Sequence, residues 1–520
     1  MYLTQSLHRA AQQTPDLPAS IFGERVRTYA EQLDRVSRLA GALRSHGVAD
    51  GAPVAILSLN SDRYLELLQA VPWADGVLVP VNTRWSPAEI LYSLDDSATD
   101  LLFVDDTFAP MVPALRDGRP GLHVAHMGDR PTPEAMFAYE DLIAGADPVP
   151  DVRRGGDSLA GIFYTGGTTG FPKGVMLSHA NMLTSAVGSQ ATCPLVVPGG
   201  RLLHAAPMFH VADLSTWTMQ SVVGGTHVVI PAFEPAAVLR AIEEHQITSA
   251  LLVPTMIQML IDHPDIGSRD LSSVASVLYG ASVITESVLR RAMEAFPAAD
   301  FVQAYGMTEL SPVATLLPAD DHRAGSRLRA AGKAAAHSEV RIVDTDDVEV
   351  PRGTVGEIVA RGGHVMLGYW NRPEETASAI RDGWMHTGDG GYMDDDGYVF
   401  VVDRIKDMIV TGGENVYSAE VENAVCQHPA VAACAVIGIP DPAWGEAVHA
   451  VVVLRPDASV TEVELREHTK SLIAGYKAPR SVDFVDALPV SSAGKVLKRE
   501  LRLPYSDSSA QVAPYAEEVR

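Results

Sequence analysis

Residues 159–174, LAGIFYTGGTTGFPKG, set a strand-like apolar run directly against eleven residues that hold four glycines, three threonines and one lysine. So much glycine makes a loop whose backbone N–H groups and hydroxyls can wrap phosphate oxygens, and a buried strand feeding such a loop belongs to an α/β architecture. Thr165, Gly166, Gly167, Thr168, Thr169, Gly170 and Lys173 are therefore candidate polyphosphate contacts. The spacing excludes a Walker A loop. Pro172 precedes Lys173 where glycine is required, and Gly494-Lys495 is followed by Val496 rather than a hydroxyl residue.

At 520 residues the chain exceeds a single core, so two or more domains are expected. Up to about residue 400, amphipathic stretches alternate with short apolar ones. Residues 28–47 read as a helix closed by Gly47, 53–60 as a buried strand, and 61–75 as a helix capped by Asn60 or Ser61. From about 390 the texture shifts to a turn-linked hairpin, a helix, two strands and a capped helix, which is an α+β pattern. The predicted organisation is a large α/β domain over 1–402, a hinge at 403–406, and a small α+β domain over 407–520 whose tail lacks regular structure from about 504.

Forty basic against 65 acidic residues give a net charge of -25, which argues against a nucleic-acid binder. Cys193, Cys426 and Cys434 are too few and too scattered for a disulfide framework or a paired-Cys metal site, so a reducing, cytoplasmic setting is expected. The first sixteen residues lack a signal-peptide pattern, and no apolar run is long enough to span a membrane. Only seven basic residues are lysines, and five of them (Lys406, Lys470, Lys477, Lys495 and Lys498) lie beyond residue 400. A compact ammonium and a guanidinium are not interchangeable where a point charge must reach one oxygen, which singles these lysines out. Residues 476–502 carry a local excess of positive charge suited to greeting anionic ligands, although an ordinary solvated basic face has the same composition.

A second chemical cluster is YGMTE, residues 305–309, after the strand-like DFVQA. Tyr305 offers a ring to stack on a purine, Thr308 a hydroxyl for a phosphate or carboxylate oxygen, and Glu309 a hard oxygen for Mg²⁺. With YGAS at 279–282, these segments resemble the adenylate-forming superfamily of acyl-CoA synthetases, aryl and luciferase-like ligases and peptide-synthetase adenylation domains, over nearly the whole chain.

The resemblance implies that superfamily's fold, a large N-terminal α/β domain with several sheets and a small mobile C-terminal α+β domain. It implies ATP, Mg²⁺ and coenzyme A as co-reactants, and it assigns roles by position. YTGGTTGFPKG becomes the phosphate loop, with Gly166 where serine is more usual; Gly280, Ala281 and Ser282 lie on the adenine side, and Tyr305 and Gly306 on the nucleotide. His210, in PMFHVA, lies beside the acyl tunnel; packing alone also suits a histidine after an aromatic. Amino-acid-activating relatives place aspartate after the phenylalanine, so His210 favours an acid without an α-amino group. Asp389 and Arg404 hold the ribose, Lys406 marks the hinge, and Gly412 and Gly413 admit the pantetheine arm. Asp389 between glycines also suits a plain turn. Lys495, in PVSSAGKVLKREL, reaches the substrate carboxylate and the α-phosphate, and with Thr308, Glu309 and His210 it makes up the catalytic set.

The implied activity is two-step acyl-CoA ligation with an acid, ATP and coenzyme A as partners, a medium or long fatty acid first and an aryl or phenylpropanoid acid second. A stand-alone adenylation enzyme loading a carrier protein is the alternative acceptor, and a catalytically dead nucleotide sensor is the alternative of another class. A homodimer is compatible with the resemblance. Trp217, Met219 and residues 223–225 suit either an acyl tunnel or an aryl slot, and core packing equally.

Overall fold

The computed structural model describes residues 1–520 apart from 166–171, 283, 405–406, 412–413, 443, 492–495 and 507–520. Two large sheets form the body, one of nine strands and one of eight. In the first, Arg201–His204, Ser249–Leu251, Ser276–Gly280 and Asp300–Gly306 run parallel and adjacent. Ser276–Gly280 and Ser249–Leu251 are buried along their whole length, which is why they read as short continuous runs rather than alternating ones. In the second sheet Pro53–Leu57 pairs in parallel with Val77–Pro80 and Leu101–Val104, and Val77–Pro80 pairs in parallel with Leu159–Thr165.

Helix ends follow the local chemistry. Tyr29–Ser45 opens with a capping box between Thr28 and Glu31. Asp62–Trp73 is capped by the Ser61 hydroxyl. Asn60, the other candidate cap, instead donates from Nδ2 to the Ala206 carbonyl at 2.9 Å and accepts the Met208 N–H at 2.9 Å. A residue read as a candidate helix N-cap thus clamps the segment leading to His210.

A third sheet joins Glu339–Val343, Gly356–Arg361, Ile380–Arg381, Trp384–Met393 and Val399–Arg404. The expected hairpin is the pair Trp384–Met393 and Val399–Arg404, whereas Ile409–Thr411 departs to a separate sheet. That fourth sheet, with Glu414–Val416, Val431–Asp441, Gly445–Leu454 and Ser481–Phe484, has its own core of Ile409, Val421, Val436, Val448 and Leu465. The architecture is therefore a large N-terminal α/β unit with a small C-terminal α+β unit. The last helix, Lys498–Ser506, runs through Pro504, past the point where an irregular tail is expected, and ion pairs Lys498–Glu422 at 2.8 Å and Arg502–Asp407 at 2.6 Å hold it. Among the described residues no helix is long and apolar enough to cross a membrane, and all three cysteines are free.

Candidate active site

The chemistry-bearing residues gather at the carboxyl ends of parallel strands, where an open α/β sheet leaves a crevice. Gly280 and Gly306 end neighbouring strands, and His210 follows the strand Arg201–His204 of the same sheet. Both glycines are required by close approach: a Cβ on Gly280 would meet the Ala304 carbonyl oxygen, and one on Gly306 the Pro312 carbonyl oxygen. Ala281 turns away from its strand with φ +67°.

Thr165 ends Leu159–Thr165 in the second sheet and lies directly across from Lys173 at the base of the glycine-rich loop. The Lys173 ammonium pairs with Glu375 and lies over the Tyr369 ring, 5.1 Å from its centroid. The Tyr369 hydroxyl donates to Glu309 Oε1 at 2.8 Å, and Glu309 is 6% exposed. One aromatic residue thereby joins the phosphate-loop lysine to the carboxylate of YGMTE, and the Met366 N–H fixes that segment further by donating to the Glu309 carbonyl at 2.9 Å. Thr308 begins the short helix Thr308–Leu310 that carries Glu309.

On the other side of YGMTE the Tyr305 hydroxyl donates to Asp389 Oδ2 at 2.8 Å. Asp389, 6% exposed, also receives a backbone anchor, its N–H donating to Thr387 Oγ1 at 3.1 Å. Its cross-strand neighbour is Arg404. Residues 84 positions apart, one predicted to stack on a base and one to hold a ribose, therefore touch.

His210 is the N-cap residue of Val211–Val223, so its side chain stands where a helix of thirteen residues begins. Beneath that helix runs a buried polar chain. Asp213 Oδ2 is 2.7 Å from His204 Nδ1, His204 Nε2 is 2.9 Å from His227 Nδ1, and the Ser221 hydroxyl is 3.2 Å from His227 Nε2. Burial holds His227 well below the usual imidazole range. Trp217, on the same helix, packs in the core that contains Leu7 and Leu65, while Met219 packs with Leu251, Leu278 and Val302 of the parallel strands. Trp217 also lines a small cavity with Leu7, Ser20 and His227, the last two on strands of the nine-stranded sheet.

The C-terminal unit reaches this crevice. Val490 pairs with Val496, closing the ends of the loop that carries 492–495, and the Arg84 guanidinium of the large unit donates to the Ser491 carbonyl at 3.0 Å. The next residue, Trp85, meets the ring of Tyr164 edge-on, with centroids 6.4 Å apart. Tyr164 directly precedes Thr165, and its hydroxyl donates to Asp96 at 2.7 Å. Ser491 of the C-terminal unit is therefore held on the connection that follows the strand Val77–Pro80, near the strand that leads into the phosphate loop. Three cations of the basic segment 476–502 are compensated in the fold, Lys477 by Glu420 at 2.7 Å and Lys498 and Arg502 as described, so its net positive character is smaller than composition indicates.

Gly166, Gly167, Thr168, Thr169, Gly170, Lys406, Gly412, Gly413 and Lys495 lie outside the described residues. Ser282 ends the described part of its turn. Sequence reading missed Arg84 and Tyr369, and gave Asn60 a capping role in place of its clamp. Arg84 and Asn60 sit in connections with no motif around them, and Tyr369 is marked only by Gly368, whose φ of +143° permits the turn.

Comparison with known proteins identifies the family. The AMP-binding enzyme family matches residues 7–370, and the AMP-binding enzyme C-terminal domain matches residues 420–495. The chain belongs to the AMP-binding enzyme family, the adenylate-forming enzymes, and has their fold. It is 42% identical over 495 residues to a feruloyl-CoA synthase of an Amycolatopsis species, covering 95% of this chain and 97% of that protein. It is 38% identical over 515 residues to the fatty acid–[acyl-carrier-protein] ligase ScoC of Streptomyces coeruleorubidus, covering 98% and 97%. Its fold matches the anthranilate CoA ligase AuaEII in complex with anthranoyl-AMP, with a TM-score of 0.92 at 26% identity and coverage of 98% of both chains.

Proposed function

We propose that this chain is an AMP-forming acid–thiol ligase that converts an aromatic carboxylic acid to its coenzyme A thioester. The observation that carries the reading is the contact of Arg84 with the Ser491 carbonyl, which joins the C-terminal unit to the large unit close to the strand that leads into the phosphate loop. In the first step a carboxylate oxygen attacks the α-phosphorus of ATP, the bond to the β,γ-pyrophosphate breaks, and acyl-AMP forms. In the second the coenzyme A thiolate attacks the acyl carbon and AMP leaves. No enzyme nucleophile is needed, so the protein's work is alignment and charge stabilisation.

Thr165 and Lys173 face the polyphosphate, and Lys173 must leave Glu375 to do so. Tyr305 backs the adenine, Asp389 accepts the ribose hydroxyls, and Gly280, Ala281 and Gly306 leave room for the nucleotide. Lys495 places its ammonium between the substrate carboxylate and the α-phosphate. Glu309 fits a hard cation: its carboxylate is buried, and the Tyr369 phenol helps to orient it. It would hold Mg²⁺, which when bound neutralises charge on the polyphosphate. His210 stands at the acyl side.

An aromatic acid is placed ahead of a medium or long fatty acid because the feruloyl-CoA synthase is the more similar of the two relatives described and the anthranilate ligase shares the fold. The resemblance to a carrier-protein ligase favours the second reading, a fatty acid and a carrier thiol. The fold body, the free cysteines and the acidic charge suit a cytoplasmic enzyme. The test is pyrophosphate release over a panel of ferulate, 4-coumarate, indoleacetate, decanoate and palmitate, each with and without coenzyme A. Faster turnover of a fatty acid reverses the order of acids, and no release with any acid overturns the ligase reading.

A further inference from the structure

The helix Ser418–Cys426 begins the C-terminal unit, and its N-cap residue, Tyr417, supplies no capping side chain. A helix start without a side-chain acceptor leaves N–H groups unsatisfied and a partial positive charge exposed. Here the acceptor comes from the other unit. Asp403 Oδ2 takes the Ser418 N–H at 2.6 Å and the Ser418 hydroxyl at 2.5 Å. Lys498 completes the chain, donating to Ser418 Oγ and pairing with Glu422 Oε1 at 2.8 Å. Ser418 is fully buried in this contact.

The two partners belong to different bodies. Asp403 lies in Val399–Arg404, which pairs along Trp384–Met393 and is bridged at Val399 to Gly332 beside the nine-stranded sheet. Ser418, Glu422 and Lys498 belong to the unit with the fourth sheet. Any turn of that unit taken up after Arg404 must break the Asp403–Ser418 bonds, whereas Lys498–Glu422 and Arg502–Asp407 travel with it. In the orientation seen here the same unit rests its loop end, Ser491, on Arg84.

We infer that Asp403 is a positioning residue, a helix cap supplied across the joint, that holds the C-terminal unit in the orientation for acyl-adenylate formation and must release it for thioester formation. The inference rests on the two-step reading given above and names a residue that touches no substrate. The strength of the latch is that of a charged cap on a buried helix start, so its loss changes the balance between orientations by roughly three- to thirty-fold.

The test uses the full chain and measures the two half-reactions separately. These are pyrophosphate release from acid and ATP, and thioester formation from preformed acyl-AMP and coenzyme A. Asp403→Asn keeps the shape and removes the charge. Its pyrophosphate release is expected to slow by that factor while thioester formation is unchanged or faster. Ser418→Ala, which keeps the backbone N–H donor, is expected to shift the balance the same way by less. Equal slowing of both half-reactions together with a lower unfolding midpoint makes Asp403 a structural cap only, and no change in either rate removes its role; both outcomes overturn the inference. If wild type forms no acyl-AMP from any acid, the two-step reading itself fails, and that result is visible before any variant is compared.

Discussion

Removing one oxygen atom at Tyr369 tests whether the orientation of Glu309 governs the first half-reaction. Tyr369→Phe keeps the ring over which Lys173 sits and deletes only the hydroxyl that donates to Glu309 Oε1 at 2.8 Å. The acceptor is a carboxylate 6% exposed, so the bond belongs to the charge-assisted class worth about 1.5–3 kcal/mol. If about 2 kcal/mol of that alignment is expressed in the transition state, kcat for pyrophosphate release falls about 30-fold. KM for the acid should change little, because the hydroxyl faces Glu309 rather than the acyl side. The Mg²⁺ concentration giving half-maximal rate should rise, since the carboxylate loses a hydrogen bond that helps to orient it. Thioester formation from preformed acyl-AMP is the internal control and should be nearly unaffected. A variant whose pyrophosphate release stays within twofold of wild type, at unchanged Mg²⁺ requirement, would show that Glu309 needs no such support and refute the role given to Tyr369.

Three further outcomes follow from the geometry. Arg84→Ala deletes one exposed hydrogen bond to the Ser491 carbonyl, worth about 1 kcal/mol, and should lower the rate of pyrophosphate release about fivefold without altering the unfolding midpoint; an unchanged rate removes Arg84 from loop docking. Gly306→Ala drives a Cβ into the Pro312 carbonyl, a rigid backbone atom, and should cost about 1–3 kcal/mol in urea unfolding as well as activity, an expectation that fails if the variant is as stable as wild type. Burial holds His364 down at about 3 and His179 at about 4. Both folded values lie below the unfolded imidazole value, so the stability of the neutral pair is complete above about pH 6.5 and is lost as pH falls, by about 1.4 kcal/mol per unit for each group. Urea unfolding at pH 7 and pH 5 should therefore differ by about 4 kcal/mol from these two residues, and His364→Asn should halve that difference; an unaltered difference shows that His364 does not contribute.

Much of the site was legible because chemistry of this kind needs residue types at short spacing. YTGGTTGFPKG and YGMTE are each contiguous, and the strand-then-loop pattern before both gave their place at strand ends. Strand and helix positions were equally readable: Ser61 caps the helix expected at 61–75, and Thr461 with Glu464 forms the capping box of Glu462–Leu472. Other features escaped because they are pairings between distant positions with no local signature. Asn60 looks like a helix cap and serves as a clamp on the approach to His210. Trp217 and Met219, two positions apart on one helix, pack in two different cores, a division that no local signature announces.

The sequence by itself determined the family, the α/β body with its smaller α+β companion, and the groups that are candidates to meet a nucleotide, since periodicity and motif spacing are local properties of a chain. Only the tertiary structure decided which of those groups meet: Tyr305 with Asp389, Lys173 with Glu309 through one ring, Arg84 with the loop of the C-terminal unit, and Asp403 with a helix start across the joint. The reason is physical. A buried carboxylate or an uncapped helix end must find a partner, but which partner lies within 3 Å depends on how whole sheets pack against one another, and that information resides in no single stretch of residues.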